Sequence, residues 1–463
     1  MQEIVESDVK NLQNFYKCDI MFSRGDKMLE RKLTQELNKW KSEKNRPCLI
    51  VKGARQVGKT FIVNEFAKNN YDNYIYINFE LNPEYKAIFS ELSFEMIIRK
   101  LEVTFFNVKL EENKTIIFLD EIQNCPNAIT ALKSFALDKR FDVIASGSLL
   151  GLKLKEISSY PVGYVREVEL FPLDFEEFLW AVGYKKDSIE YFRNAFDKKI
   201  FIDEFMISNM SKQFELYIMI GGMPGIINEY LATNSLSKVL QAQRALIQNY
   251  KIDAIKYAEI MDKQKIINTL ESIPGQLAKK NKKFSYNDIN VEDKYGSARK
   301  YTSSLLWLKD AGIINYCYNL SEPALPLATN IKLNFFKVYM KDTGLLISML
   351  EDGTQSALMN DGLYINKGGI LENIFAQELA SRYDRLMYFE KAGKLEIDFI
   401  LNLNGVVTAI EAKSGNNKQS KSLYSILDNY KTVRRCIKFE KDCNVYIDDK
   451  GIEHYPLFMI MFI

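Results

Sequence analysis

Eight consecutive residues, Gly53-Ala54-Arg55-Gln56-Val57-Gly58-Lys59-Thr60, carry the spacing of a phosphate-binding loop: two glycines flanking four residues, then a lysine and a hydroxyl. Such a loop, set between a strand and a helix, aims successive backbone N–H groups and the helix N-terminus at phosphate oxygens. Lys59 would neutralise the β and γ oxygens of ATP, and the Thr60 hydroxyl would sit on Mg²⁺. Further on, Thr115-Ile116-Ile117-Phe118-Leu119-Asp120-Glu121 reads as a buried strand that ends in two acids. Asp120 would hold the magnesium shell and Glu121 would polarise the attacking water as general base. A strand from Phe141 to Ala145 delivers Ser146-Gly147-Ser148 to the same edge, where Ser146 would sense the γ-phosphate. Arg55, Arg140 and Arg166 are the candidates for a charge-stabilising arginine.

A second group of chemistry-bearing residues lies near the C-terminus. Leu395 to Leu401 and Val406 to Lys413 flank Asn404-Gly405, a strong hairpin signal. A two-residue turn there puts Asp398 opposite Glu411 and Glu396 opposite Lys413, all on the face away from Ile397, Phe399, Leu401 and Ile410. Like charges placed opposite each other repel, and a bridging divalent cation is the simplest remedy, so Asp398 and Glu411 are candidate metal ligands. Lys413 points the same way and would steady a metal-bound hydroxide or a pentavalent phosphate. Glu372, on the helical run Leu371 to Leu379, offers another acid. The competing reading is an amphipathic hairpin with a Glu396–Lys413 salt bridge and a solvated face.

The elements that must position these residues follow from patterning. Strand-like runs at Pro47–Val51, Tyr74–Phe79, Thr115–Leu119 and Phe141–Ala145 alternate with helical runs, which implies βαβ units and a mostly parallel sheet covered on both faces. Beyond Trp180 the chain turns helical from about Lys185 to Lys265, interrupted by the turn at Gly221 to Gly225. From Ile273 to Leu350 two helices and the strand-like runs Ile313–Tyr318 and Ile331–Tyr339 give the plan of a winged helix, with Gly312 as helix C-cap and Ser321 to Leu327 as wing. After the polar stretch Glu351 to Gly362 a last domain runs to Ile463. The division is an N-terminal extension (1–27), an ATPase core (28–183), a helical lid (184–272), a winged helix (273–350) and a terminal domain (363–463).

Composition narrows the chemistry. The 463 residues include one histidine, His454, so imidazole-rich metal sites and most Ser-His-Asp or Cys-His schemes are excluded. Cysteines 18, 48, 125, 317, 436 and 443 show no CxxC spacing and read as reduced thiols. The acidic start MQEIVESDVK is no signal peptide, and apolar runs fall short of the roughly 18 residues of a spanning helix, so a cytoplasmic chain with no membrane partner is expected. The net charge of +2 leaves only local basic patches for DNA. Two are Lys279, Lys280, Lys282 and Lys283 with Arg299 and Lys300, diluted by Asp288, Glu292 and Asp293; and Lys413, Lys418, Lys421, Lys431, Arg434 and Arg435.

Seven segments in one order, GARQVGKT, IIFLDEIQ, VIASGS, ELFPLDFEEFLWA, GGMP, FKVYMKDTGLL and EIDFIL…IEAKSG, resemble the prokaryotic AAA-type ATPases joined to a conserved C-terminal domain of unknown function. The resemblance implies a P-loop ATPase core with helical lid and winged helix, and a C-terminal domain similar to restriction-endonuclease-like PD-(D/E)XK folds. By position, Asp398, Glu411 and Lys413 fall on the D…ExK pattern and Glu372 on its helix acid. The order Val162-Gly163-Tyr164-Val165-Arg166 departs from the Gly-Arg pair that relatives often carry here. The expected protein is an α/β, Mg²⁺-dependent ATPase whose nucleotide state controls a DNA-associated, nuclease-like terminal domain. The alternative is a nucleotide-switched regulatory protein, with catalytically idle acids, that docks a second copy or another protein.

Overall fold

The computed structural model describes residues 29–147, 160–257, 262–290, 297–354, 367–391, 393, 395–413, 420–441 and 443–463. The expected N-terminal extension, Cys18, Ser148, Glu292, Asp293, Lys418 and most of the 351–362 stretch lie outside them.

The core elements are α1 (Leu33–Ser42), β1 (Cys48–Lys52), α2 (Lys59–Asn70), β2 (Asn73–Asn78), α3 (Phe94–Thr104), β3 (Thr115–Asp120), α4 (Pro126–Asp138), β4 (Asp142–Gly147), β5 (Val165–Glu169) and α5 (Phe175–Ala181). The strands form one parallel sheet in the order β2-β3-β4-β1-β5. Each apolar strand run is shared between two cores with period two: Leu49, Val51, Ile116 and Phe118 pack into one, and Cys48, Ile50, Ile117 and Leu119 into the other. The sheet is α/β with apolar cover on both faces, as the patterning implies. Sequence patterning misses β5, whose Val-Arg-Glu-Val-Glu run holds an edge and stays largely in solvent.

The lid consists of α6 (Lys186–Lys198), α7 (Glu204–Ile220), α8 (Pro224–Thr233) and α9 (Leu236–Tyr257). Next come α10 (Lys263–Leu277), α11 (Ala298–Asp310), the antiparallel pair β6 (Ile314–Leu320) and β7 (Ile331–Met340), and α12 (Thr343–Ser348). The terminal unit holds α13 (Lys367–Ala380), β8 (Leu386–Lys391), β9 (Leu395–Ile397), β10 (Phe399–Leu403), β11 (Val406–Lys413), α14 (Lys421–Asn429), β12 (Val433–Glu440), β13 (Tyr446–Ile447) and β14 (Glu453–Pro456).

The β6–β7 hairpin does not stand apart from the terminal unit. Strand β8 runs parallel beside β6, giving a four-stranded sheet β7-β6-β8-β9, while β10, β11, β12, β14 and β13 form a separate five-stranded one. The chain passes from the first of these sheets to the second at Asp398, the single residue between β9 and β10. That bend inverts the strand's alternation. Phe399 and Leu401 pack into one core but Ile397 joins Ile400 in another, so the expected common face of Ile397, Phe399 and Leu401 is not formed. The hairpin register through Phe399↔Ile410 matches the two-residue turn, with Asn404 and Gly405 both at positive φ. Beyond the bend it fails: Glu396 pairs with Glu390 of β8, and Lys413 lies beside Glu440 of β12 instead of opposite Glu396.

Candidate functional site

At the loop between β1 and α2 the backbone bends through Gly53 (φ 152°) and Gly58 (φ 97°), values that L side chains rarely adopt. A Cβ at Gly53 would also collide with the Leu170 carbonyl oxygen. Ala54, Gln56 and Val57 complete the curve, with Ala54 and Val57 buried. Strand order then decides which side chains meet. Because β4 lies between β1 and β3, Ser146 stands between the phosphate loop and the two acids.

Asp120 is the hub. Its Oδ2 accepts from Thr60 Oγ1 at 2.8 Å, Tyr76 OH at 3.0 Å and Asn78 Nδ2 at 3.1 Å, and its Oδ1 accepts from Ser146 Oγ. Lys59 is buried and donates to the carbonyls of Gly53 (3.1 Å) and Ala54 (2.9 Å), oxygens of the loop it serves. Burial lowers its pKa, which Glu121 and Asp120 counteract. Glu121 sits at φ 51°, which takes it out of the strand, and Gln123 Nε2 donates to its carboxylate. Burial, reinforced by Asp120, raises the Glu121 pKa. Tyr76, Asn78 and Gln123 were not singled out from sequence; Gln123 lies within the quoted IIFLDEIQ segment, two residues beyond the base it contacts.

Lys59, Thr60, Tyr76, Asn78, Asp120 and Glu121 line a cavity of about 1330 Å³ that also touches Leu29 and Arg31 before α1, and Pro224, Gly225 and Asn228 of the lid. Ser146, expected to sense the γ-phosphate, is instead buried against Asp120 and off the cavity wall. Arg31 fixes the entrance by donating to the Val57 carbonyl at 3.2 Å and pairing with Glu177 at 3.2 Å. Of the three candidate arginines, only Arg55 reaches this cavity, where it is ion-paired with Asp253 of α9. Arg140 pairs with Asp138 and Glu95, and Arg166 with Glu43, all near the opposite ends of their strands.

The lid turn is tied elsewhere. Asp342, buried at the start of α12, accepts from Gly222 N at 2.6 Å and from Leu345 N at 2.9 Å. The next residue, Thr343, donates through its N–H (2.7 Å) and hydroxyl (2.8 Å) to Gln377 of α13, whose amide donates to Tyr217 of α7 at 2.7 Å. Glu378 of α13 accepts from Phe175 N at 2.9 Å. The same helix therefore holds the lid, the β6–β7 unit and the ATPase core. Gly312 closes the circuit from another side, its position for a Cβ lying 3.0 Å from Ala54 N in the phosphate loop.

In the terminal unit Glu372, Asp398 and Glu411 are all buried, so the solvated acid face is replaced by a closed one. Asp398 Oδ2 accepts from Ala412 N at 3.0 Å, and Lys413 Nζ lies 3.8 Å from Glu411 Oε2. Burial raises both acids, with Glu372 adding to the shift at Asp398, and takes Glu411 to about 7 although Lys413 opposes it. Among the described residues, no three His, Cys, Asp or Glu side chains are grouped to hold a metal ion. Part of each basic patch is committed to ion pairs. Lys279 pairs with Asp288, Lys282 with Glu372, Lys283 with Glu390, and Arg435 with Glu453. The expected wing is anchored at two points, with Leu327 in the terminal core and Thr432 Oγ1 donating to the Pro323 carbonyl at 2.8 Å, while Ser321, Glu322, Leu325 and Pro326 are exposed. No helix among the described residues is long and apolar enough to cross a membrane.

Residues 45–179 match the family model described as AAA domain, and residues 211–356 and 367–458 match two domains of unknown function, DUF8612 and DUF4143. An uncharacterized protein of Methanocaldococcus jannaschii is 24% identical over 361 residues, 76% of this chain and 71% of its own length. One of Haemophilus influenzae is 23% identical over 404 residues, 83% of this chain and 87% of its own. Among solved structures, a Walker-type ATPase of Pyrococcus abyssi aligns at 15% identity over 70% of this chain and 96% of its own, with a TM-score of 0.44. The ORC1 protein of Aeropyrum pernix in complex with DNA aligns at 12% identity over 72% and 95%, with a TM-score of 0.28. The phosphate loop, the acid pair and the domain match support a nucleotide-binding ATPase.

Proposed function

We propose that the chain is an ATP-hydrolysing switch whose lid passes nucleotide state to the terminal unit. The observation that carries this reading is the hydrogen-bonded line from the lid turn at Gly222 through Asp342 and Thr343 to Gln377 of α13. Two residues beyond that line's start, Pro224 borders the nucleotide cavity and stands 3.6 Å from where a Gly58 Cβ would lie. A nucleotide that moves Pro224 thus loads the same turn that Asp342 grips.

The donor set fits Mg²⁺ with ATP: a hydroxyl and a carboxylate 2.8 Å apart, Thr60 and Asp120, beside a buried lysine. Bound there, Mg²⁺ would neutralise charge on the β and γ oxygens. Lys59 would turn from its own loop carbonyls to the phosphates, Ser146 would hold Asp120 in place, and Glu121 would accept the proton of the attacking water. Lys59→Ala removes a charge-assisted bond worth about 2 kcal/mol, so ATP affinity should fall about thirtyfold in a calorimetric titration. An unchanged affinity would remove the phosphate-loop assignment. The switch predicts different hydrogen exchange at Gly222–Met223 and in α13 between ATP-bound and ADP-bound protein; identical exchange would count against it.

For the terminal unit, the order α13, β8, β9, β10, β11, α14, β12, with Glu372, Asp398, Glu411 and Lys413 upon it, supports a nuclease-like reading. Direct DNA contact predicts binding that weakens steeply with salt, and a flat response opposes it. The second reading, a regulatory module with idle acids, is favoured by the ion pairs that occupy Glu372 and Lys283.

A further inference from the structure

Lys337 lies in the middle of β7, within a hairpin whose flanking residues Phe336, Val338 and Tyr339 are apolar core. Its side chain is fully buried. A lone ammonium in such a place would lose its charge or disrupt the fold, so its partners explain its presence. Its Nζ donates to Glu396 Oε1 at 2.7 Å and to Glu372 Oε2 at 3.1 Å, and lies 4.8 Å from the centre of the Tyr388 ring. Glu372 has no oxygen left over. Lys282 Nζ takes Oε1 at 2.7 Å, and Tyr339 OH donates to Oε2 at 2.9 Å. Asp398 stands near enough to add to the field at Lys337.

Charge counting points the same way. With all four carboxylates ionised, Glu372, Glu396, Asp398 and Glu411 face three ammonium groups, Lys282, Lys337 and Lys413, leaving one net negative charge. A bare set of four acids would attract a divalent cation strongly; this set would be driven positive by one. Although burial opposes it, Lys337 and then Lys282 bring the Glu372 carboxyl down to about 2, so that acid is committed to its lysines across the whole physiological range.

We infer that Lys337 is the resident cation of this constellation: Glu372, Glu396 and Asp398 form an anion site for an ammonium group of the β6–β7 hairpin and take up no divalent metal while it is in place. The expected Asp398–Glu411 metal site is therefore exchanged for an ionic clamp. The clamp joins strands β7 and β9, at the two edges of one four-stranded sheet, with helix α13. Its role is to hold the hairpin and the terminal unit as one body, on which the lid line described above also ends. The inference does not depend on ATP binding.

Mn²⁺ bound to the full-length, nucleotide-free chain can be counted by electron paramagnetic resonance. Wild type and Asp398→Asn should bind equal numbers of ions, whereas Lys337→Met should gain one ion over wild type and lose it again when combined with Asp398→Asn. An ion present in wild type and absent from Asp398→Asn overturns the inference, as does a folded Lys337→Met with no gain. Should Lys337→Met not fold, the wild-type and Asp398→Asn comparison still decides. Lys337→Met with Glu372→Gln removes one charge of each sign and should recover most of the lost melting temperature; a double variant no more stable than Lys337→Met would also overturn the clamp.

Discussion

Glu121→Gln should bind ATP within about twofold of the wild type and turn it over ~10²–10⁴-fold more slowly, the usual contribution of a positioned general base. Glutamine keeps the length and polarity of the side chain, and the groups that would bind phosphate and Mg²⁺, Lys59, Thr60 and Asp120, remain in place. What it loses is the capacity to accept a proton. Burial and the neighbouring Asp120 raise the Glu121 pKa, which strengthens it as a base. The sign also sets a pH signature: turnover requires the deprotonated carboxylate, so the wild-type rate should fall on the acid side at a pH above that of an ordinary glutamate, and the Gln123 contact moderates the shift. Phosphate release measured alongside binding of a fluorescent nucleotide separates the two effects. A variant with undiminished turnover would assign the water to some other base.

The site's local part was legible because backbone geometry and sequence spacing are tied together there. A Gly-x-x-x-x-Gly-Lys-Thr loop works through its own N–H groups and the helix that follows, so its eight residues specify most of its shape. The parallel sheet was legible for a similar reason, since runs such as Thr115 to Leu119 are apolar on both faces. Strand β5 escaped because an edge strand needs no apolar run; its two valines, Val165 and Val168, are three residues apart and pack against different cores, with Arg166, Glu167 and Glu169 around them.

The terminal constellation misled for a different reason. Hairpin arithmetic assumes a straight strand, and Asp398 sits where the chain leaves one sheet for another. Nothing within residues 395–413 records that the strand must bend, because the cause is β8, which pairs with β9 and with the distant β6. Two of the three lysines that face the acids come from positions 282 and 337, 90 and 35 residues before Glu372. Lys337 itself is one polar residue between Phe336 and Val338 in a strand-like run. Only the fold reveals that its partners are three acids remote in sequence.

Asp342→Ala should destabilise the chain by about 2–6 kcal/mol near pH 5, because it strips the acceptor from the buried N–H groups of Gly222 and Leu345, each worth about 1–3 kcal/mol when left unsatisfied. The loss should depend on pH. Burial raises the Asp342 carboxyl from 3.8 to about 6, against the pull of the Gly222, Leu345, Gly344 and Met223 N–H groups. With the folded pKa above the unfolded one, the stabilisation is complete below about pH 4 and declines as pH rises through 6. Denaturant titrations should accordingly show the gap between wild type and Asp342→Ala widest at the acid end and narrowing toward neutrality. At neutral pH the variant should still lose the Gly222–Asp342 link and leave Tyr217 as the lid's hydrogen-bonded tie to α13, so nucleotide-dependent exchange in α13 should shrink while ATP affinity persists. Undiminished exchange differences in a folded Asp342→Ala would show that the signal travels by the other contacts, Tyr217 with Gln377 and Glu378 or Gly312 against Ala54.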